Sequence, residues 1–469
     1  MKSIRIVLWL IIIIVSACNT NSTNKNSDND MKFTGKKGEV KIITLDPGHF
    51  HAALVQKIMY DQVNPEVYVY APEGPDITDH LNRINGFNNR LENPTSWNTK
   101  VYAGDDYLEK MLSDQTGNLM VTAGNNRKKT EYIKQTVEAG INVLADKPMV
   151  INSNNFELLK EAFRIAKQNG VLLYDIMTER HEITTILQKE LSHMPDVFGE
   201  LLKGSAENPS VTKESVHHFF KYVSGNKIKR PPWFFDVSQE GDGIVDVTTH
   251  LVDLIQWECF PEQIIDYHKD IKMISAKRWA TKLTPTEFNT VTKLDKYPDY
   301  LKKDIYNDSI LNVFSNGEMI YKIKNVYAKV SVTWNYEAPE GAGDTHFSIM
   351  RGTKAELVIK QGAEQNYEPY LYIIPSKSDD LNAYILKLEK AMQKINEKYP
   401  GVKLVKNDNS LYLDIPEKYK IGHEAHFAEV TKKYLQYLID GKLPEWEVPN
   451  MVAKYYTTTQ AFELSIQNM

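Results

Sequence analysis

The sequence predicts an α/β chain in two parts, a doubly wound parallel sheet followed by an α+β domain with a large, mostly antiparallel sheet. Three observations carry this. Between residues 40 and 174, short apolar runs alternate with helical stretches, as in parallel sheets wrapped by crossover helices. From residue 327 onward, runs of alternating polarity are joined by Gly-rich turns, the pattern of antiparallel neighbours. The 469 residues also exceed what one hydrophobic core usually holds.

In chain order, residues 40–45 read as a strand, 52–60 as a helix and 67–70 as a strand. A helix over 106–112, a strand over 119–122, a helix over 128–139 and a strand over 141–144 follow, then a helix over 155–168 and a strand over 171–174. This half is assigned residues 39–178, and the second domain 179–469. The second half opens with a helix over 181–191, and Ser215 to Lys221 reads as a strand with one of His217 and His218 in and the other out. Strands over 327–336, 347–350 and 356–359 are separated by the turns Gly341-Ala342-Gly343 and Arg351-Gly352-Thr353. Residues 379–398 form an amphipathic helix, and a helix over 423–438 ends at Asp440-Gly441-Lys442-Leu443-Pro444.

Ahead of these parts, Lys2 and Arg5 precede an apolar run over 6–15 that closes with Val15-Ser16-Ala17-Cys18. The run falls short of the roughly 20 residues a membrane span needs, and small residues before a cysteine suit a cleavage site. The segment resembles a bacterial lipoprotein signal, removed before Cys18 with lipid on its sulfur. Residues 19–38 then serve as a polar tether, leaving the protein lipid-anchored in the cell envelope, facing the periplasm or the cell surface. Cys259, in an apolar run, is the only other cysteine, so no intramolecular disulfide forms and a buried inert thiol is expected. A formal net charge of -5 leaves no electrostatic footprint for nucleic acid. No C-x-x-C pair or other metal pattern stands out, and the pairs His217/His218 and His423/His426 read as packing residues, so no metal site is expected.

The polar signals fall at the ends of the predicted strands: Asp46-Pro47-Gly48-His49-Phe50-His51, Ala71-Pro72-Glu73-Gly74, Gly124-Asn125-Asn126-Arg127 and Asp146-Lys147-Pro148. Ligands of doubly wound sheets sit there, so the four loops read as one composite site. A second stretch, Gly241 to Asp253, sets Asp246 and His250 four apart in an apolar, helical context, which puts them on one helix face. Lysine, aspartate and histidine together suit proton transfer coupled to hydride transfer, with His250 able to take up and return a proton near neutrality. Trp233, just before this stretch, is the preferred sugar-stacking residue, and Trp334, Tyr336 and His346 are candidates to line one face of the later sheet.

Asp146-Lys147-Pro148 after a strand resembles the Glu-Lys-Pro signature, and Gly241 to Asp253 resembles the G-G-G-x-x-x-D-x-G-x-H-x-x-D signature, of the glucose-fructose oxidoreductase / inositol 2-dehydrogenase (Gfo/Idh/MocA) family. The chain looks like the secreted lipoprotein branch of that family. The resemblance implies a Rossmann domain that binds NAD, with NADP not excluded, and sugar or cyclitol substrates. It gives Lys147 a contact to the reacting hydroxyl and the cofactor ribose, and Asp246 and His250 contacts to substrate, one of them as base. It also implies a homo-oligomer joined through the C-terminal sheet. The chain departs from the family at the phosphate turn, where G-x-G-x-x-G becomes Asp46 to His51 and only Gly48 survives. Asp46 is expected either to cap the following helix, leaving amides for phosphate, or to signal altered cofactor binding. Glu73 is the remaining candidate for the adenosine ribose.

These readings give an NAD(P)-dependent oxidoreductase acting on a sugar or glycoside hydroxyl with a tightly held nicotinamide. Two rivals use the same residues differently: an NAD-dependent glycosidase or lyase working through transient oxidation, and a non-catalytic carbohydrate-binding lipoprotein on a dehydrogenase scaffold.

Overall fold

The structure is a computed structural model. It describes residues 33–223, 226–376, 380–407 and 410–467, so the expected signal and Cys18 lie outside the described residues.

Six strands, β1 (Ile42–Leu45), β2 (Glu66–Ala71), β3 (Asn98–Ala103), β4 (Leu119–Thr122), β5 (Asn142–Asp146) and β6 (Leu173–Ile176), form a sheet in the order β3-β2-β1-β4-β5-β6. Every pairing in it is parallel. β1, β4, β5 and β6 are buried along their whole length, which is why they read as unbroken apolar runs. The connecting helices are α1 (His51–Leu54), α2 (Pro75–Asn89), α3 (Tyr107–Asp114), α4 (Asn126–Glu138) and α5 (Ser153–Asn169). The strand order reverses between β1 and β4, and the cleft beyond their carboxyl ends is where such sheets bind ligands.

The expected helix over 52–60 is cut to the four residues of α1. Its would-be continuation has long-range partners: the Trp97 indole donates to the Gln56 carbonyl at 2.6 Å and Arg90 to the Lys57 carbonyl at 2.7 Å. β3 escaped the sequence reading because it is a largely exposed edge strand with no buried face, and α2 because it buries only Ile77, His80 and Ile84.

The second half runs α6 (Ile183–Ser192), β7 (Val211–Phe220), the hairpin β8 (Tyr222–Val223) and β9 (Asn226–Lys227), α7 (Thr248–Cys259), α8 (Tyr267–Asp270), β10 (Ile271–Leu283), α9 (Pro285–Thr292), β11 (Ile305–Tyr306), β12 (Ile310–Ile323) and β13 (Val326–Glu337). It continues with β14 (Thr345–Arg351), β15 (Ala355–Lys360), β16 (Tyr370–Pro375), α10 (Leu381–Lys398), β17 (Lys403–Asn407), β18 (Ser410–Asp414), α11 (His423–Asp440) and α12 (Glu447–Gln467). The large sheet is ordered β10-β12-β13-β7-β14-β15-β16-β18-β17, with β11 added on β12. Its pairs are antiparallel except β13 with β7. Among the described residues, no helix is long and apolar enough to cross a membrane.

The last two helices return to the first sheet. Phe427, Tyr434 and Leu435 of α11, with Met451 and Tyr455 of α12, join its buried core. Tyr434 donates to the Leu172 carbonyl at 2.9 Å and Tyr455 to Asp175 at 2.8 Å. A buried ion network ties α7 to this seam: Arg180 reaches Asp253 at 2.6 Å and Glu447 at 2.9 Å, while Lys454 reaches Asp253 at 2.8 Å and Asp175 at 2.7 Å. Asp253, the last acid of the Gly241 to Asp253 stretch, therefore anchors α7 from inside.

One glycine of that stretch is required by close approach. A Cβ on Gly243 would lie 1.8 Å from the Ser315 carbonyl oxygen of β12. Gly243→Ala is expected to force the two segments apart and cost about 1–3 kcal/mol, read as a lower urea midpoint at unchanged slope.

Candidate active site

A cavity of about 770 Å³ opens at the carboxyl ends of the parallel sheet, between the β1 turn, β5, the face of the large sheet and the start of α11. Lys147 follows β5 directly, across a cis bond to the buried Pro148. Its ammonium donates to Asp246, and both side chains are nearly enclosed, 10% and 7% exposed. Burial alone would lower the Lys147 pKa, but the charges of Asp246 and Asp146 overcome it and hold the group above its ordinary value. Lys147 is thus an ammonium throughout the neutral range.

Asp246 and His250 both line the cavity, although α7 begins only at Thr248. The preceding residues form a turn in which the Asp246 amide donates to the Asp242 carbonyl at 3.0 Å, an i to i−4 bond that keeps helical spacing without a regular helix. His250 Nδ1 is buried with no hydrogen-bond partner among the described residues. Burial first, then the charges of Lys147 and His423, push its pKa well below 6.5. The expected near-neutral titration of His250 is therefore corrected: the imidazole sits neutral. The cavity carboxyl raised to about 7 is that of Glu179, by burial and the charge of Glu182, while burial and the charge of Asp246 raise the buried Glu240 well above the usual 4.5. Glu240 stands one residue before the Gly241 stretch.

The Asp46 to His51 turn is not built as the capping expectation has it. Asp46 does not cap α1, whose N-cap is Phe50 with no side-chain bond. It takes a positive φ of 48° and accepts from the Tyr132 hydroxyl at 2.8 Å. The Gly48 amide is spent on the Asp46 carbonyl and the His49 amide on Ala123, at 2.9 and 3.0 Å; Pro47 has none. Gly124 packs against this turn so closely that a Cβ would lie 2.3 Å from the Asp46 carbonyl oxygen. His49, Phe50 and His51 line the cavity, and His51 Nδ1 lies 3.0 Å from Asp146.

Asn125 and Asn126 do not face the cavity. They join the two halves, Asn125 donating to Gln239 at 2.7 Å and Asn126 to the Glu240 carbonyl at 2.6 Å. Glu73 is exposed on the turn before α2. Trp233 is a correction: it is no wall of the cavity but is packed over the β1 turn, so close that a Cβ on Gly48 would lie 3.0 Å from its ring. Its indole donates to Asp76 at 2.7 Å, because the 3-10 turn Pro232–Phe235 directs it into an aromatic core. Trp334 does line the cavity, stacked on His217 with centroids 5.0 Å apart. Asp344 accepts from His217 at 2.9 Å and also pairs with Lys221; burial would raise its pKa, but His217, His218 and Lys221 hold it well below the usual range. His346 joins them, whereas Tyr336 stacks on Phe220 away from the cavity. Asp344, in a turn, gave no periodic signal in the sequence.

Residues 187–466 match the family described as "Putative oxidoreductase C terminal domain", and residues 80–175 match "Oxidoreductase family, NAD-binding Rossmann fold". The chain belongs to the Gfo/Idh/MocA oxidoreductase family. The crystal structure of a "putative oxidoreductase" from Parabacteroides merdae ATCC 43184 is 62% identical to this oxidoreductase, covers 93% of it and 100% of its own chain, and superposes with a TM-score of 0.91. A levoglucosan dehydrogenase in complex with NADH and levoglucosan is 12% identical over 92% of this chain and 98% of its own, with a TM-score of 0.57. A 3-ketoreductase from Actinomadura kijaniata, solved with NADP, is 12% identical over 89% and 95%, with a TM-score of 0.53. These two share the fold. No curated protein sequence matches this oxidoreductase.

The parallel sheet of this oxidoreductase is the NAD(P)-binding Rossmann domain. The cavity lining fits the nicotinamide end: the Lys147 ammonium, the Asp246 carboxylate and the His250 imidazole share it. Lys147, directly after β5, would hold it. The family match begins at residue 80, beyond the β1 turn.

Proposed function

We propose that this oxidoreductase interconverts a hydroxyl and a ketone on a ring carbon of a sugar or glycoside, in the cavity beside Lys147. The observation that carries the reading is that the Lys147–Asp246 pair and the neutral imidazole of His250 line one cavity. When bound, the nicotinamide takes up or supplies the hydride. Lys147 hydrogen-bonds the reacting oxygen and stabilises the negative charge that grows on it as the hydroxyl proton leaves. The His250 imidazole accepts that proton in oxidation and returns it in reduction. Asp246 keeps Lys147 charged and oriented. The Trp334 ring supplies an apolar face for a pyranose, and Asp344 and His217 supply polar contacts at its edge. The levoglucosan and 3-ketoreductase neighbours are named for chemistry of this kind.

His250→Ala is expected to lower the rate about a hundredfold or more with little change in the apparent affinity for sugar. Because the cavity carboxyl raised to about 7 is that of Glu179, Glu179→Gln rather than His250→Ala is expected to remove the near-neutral limb of the pH–rate profile. An unchanged profile in Glu179→Gln would remove that assignment.

The Lys2 to Cys18 segment makes the protein, in this proposal, a lipoprotein of the cell envelope. Free NAD is scarce there, so the nicotinamide stays bound and is recharged on a second sugar. Self-association through the large sheet belongs to the same proposal. The test is the nicotinamide released on denaturing the purified protein, identified by absorbance and mass. Near-stoichiometric NAD(H) supports the reading, and a protein that neither carries nor takes up NAD or NADP contradicts it.

A further inference from the structure

We propose that His49, His51 and Asp146 form a binding site for one divalent first-row transition ion at the floor of the cavity. Their ligand atoms all lie within 4.8 Å of one another. His51 Nδ1 is 3.0 Å and His49 Nδ1 4.0 Å from the same Asp146 Oδ2. The two rings stand edge to face, 84° apart with centroids at 4.0 Å, so their δ nitrogens converge on that oxygen from different sides. Two imidazoles and a carboxylate are a donor set that zinc, iron and similar ions take at about 2.0–2.2 Å. His49 Nδ1 accepts from the His51 amide at 3.4 Å, and taking up the ion requires the His49 ring to turn out of that contact.

The charge around Asp146 argues the same way. Its carboxylate is 4% exposed, and a buried carboxylate is costly unless a cation faces it. Among the described residues its ion-pair partners are the two histidines alone. The adjacent Lys147 is committed to Asp246, and the buried Lys129 donates to the Asp146 backbone carbonyl at 3.0 Å rather than to its carboxylate. Lys147 and Lys129 act on Asp146 through space without touching its carboxylate, and a divalent ion would bring a cation into direct contact with it. On binding, it replaces the His51 Nδ1 to Asp146 hydrogen bond, and the His51 proton is carried on Nε2 instead.

The local chain is built to hold the cluster. The His49 amide is fixed on the Ala123 carbonyl, and Asp146 ends the buried β5, so two ligands come from one turn and the third from a neighbouring part of the same sheet. His49 and His51 line the cavity beside Lys147. An ion held by three protein atoms keeps positions for water or for an oxygen ligand entering from the cavity. The inference rests on this geometry and does not require the sugar reading, so the two fail separately.

The test uses the full chain without a histidine tag and Zn²⁺ as the probe. Equilibrium dialysis followed by elemental analysis is expected to give one Zn²⁺ per chain, and diffraction on either side of the zinc edge to place anomalous density between the three side chains. His51→Ala and, separately, Asp146→Asn are expected to weaken Zn²⁺ binding at least about tenfold. His268→Ala, on the short α8, leaves it unchanged. Far-UV circular dichroism of the metal-free variants separates lost binding from lost fold, and the anomalous map of the unaltered protein needs no variant at all. No stoichiometric Zn²⁺, density elsewhere, or binding equal in all variants would overturn the site.

Discussion

Replacing Lys147 with alanine is expected to lower turnover by about a thousandfold or more, with the loss in kcat rather than in substrate affinity. Among the described residues Lys147 is the one ammonium in contact with Asp246, and both line the cavity with His250. Removing it takes away the charge that stabilises the developing alkoxide. It also leaves Asp246 buried without its cation, which destabilises such sites by about 3–5 kcal/mol. The two effects separate in the pair Lys147→Met and Lys147→Met/Asp246→Asn. The double variant recovers much of the stability because no uncompensated charge remains, and it stays inactive. Near-normal turnover in either would remove Lys147 from the chemistry.

The largest effect on stability is expected at Arg180. Its guanidinium spans Asp253 and Glu447, all three side chains being 5% exposed or less. Arg180→Ala leaves two buried carboxylates with only Lys454 to answer them, and about 3–5 kcal/mol should be lost, measured as a fall in the urea midpoint. Asp253→Asn tests the same network by pH. Burial alone would raise the Asp253 pKa, but Arg180 and Lys454 overcome it and hold the carboxyl far below its usual value. A depressed carboxyl adds stability above its unfolded pKa, near 4, and loses it as the pH falls toward the folded value. The gap between the two proteins is therefore full at neutral pH and narrows below about pH 4. A gap independent of pH would mean that Asp253 acts by packing alone.

The buried parallel strands were legible in the sequence because β1, β4, β5 and β6 are apolar on both faces and bounded by turn residues. The exposed edge β3 and the polar α2 carry no such periodic signal, and α1 was overread because Trp97 and Arg90, distant in sequence, take the carbonyls its continuation would use. At the site, Lys147, Asp246 and His250 were found through their local motifs and meet in one cavity. Asp344 and Trp334 reach it through the pairing of β7 with β13 and β14, a tertiary fact that spacing along the chain does not encode. Trp233 was misplaced for the same reason, since its direction is set by Asp76 and the aromatic core rather than by its neighbours in sequence. The neutral state of His250 follows from burial and nearby cations, which likewise exist only in the folded chain.

The most direct measurement is hydride transfer within the cavity. The protein is incubated with pyranosides carrying deuterium on their ring carbons, then denatured, and the released nicotinamide is analysed by mass spectrometry. Deuterium in the nicotinamide of the unaltered protein, and its absence with Lys147→Ala loaded with the same cofactor, is the predicted result. A nicotinamide that stays unlabelled with every pyranoside, or is labelled equally in Lys147→Ala, would contradict sugar oxidation at Lys147.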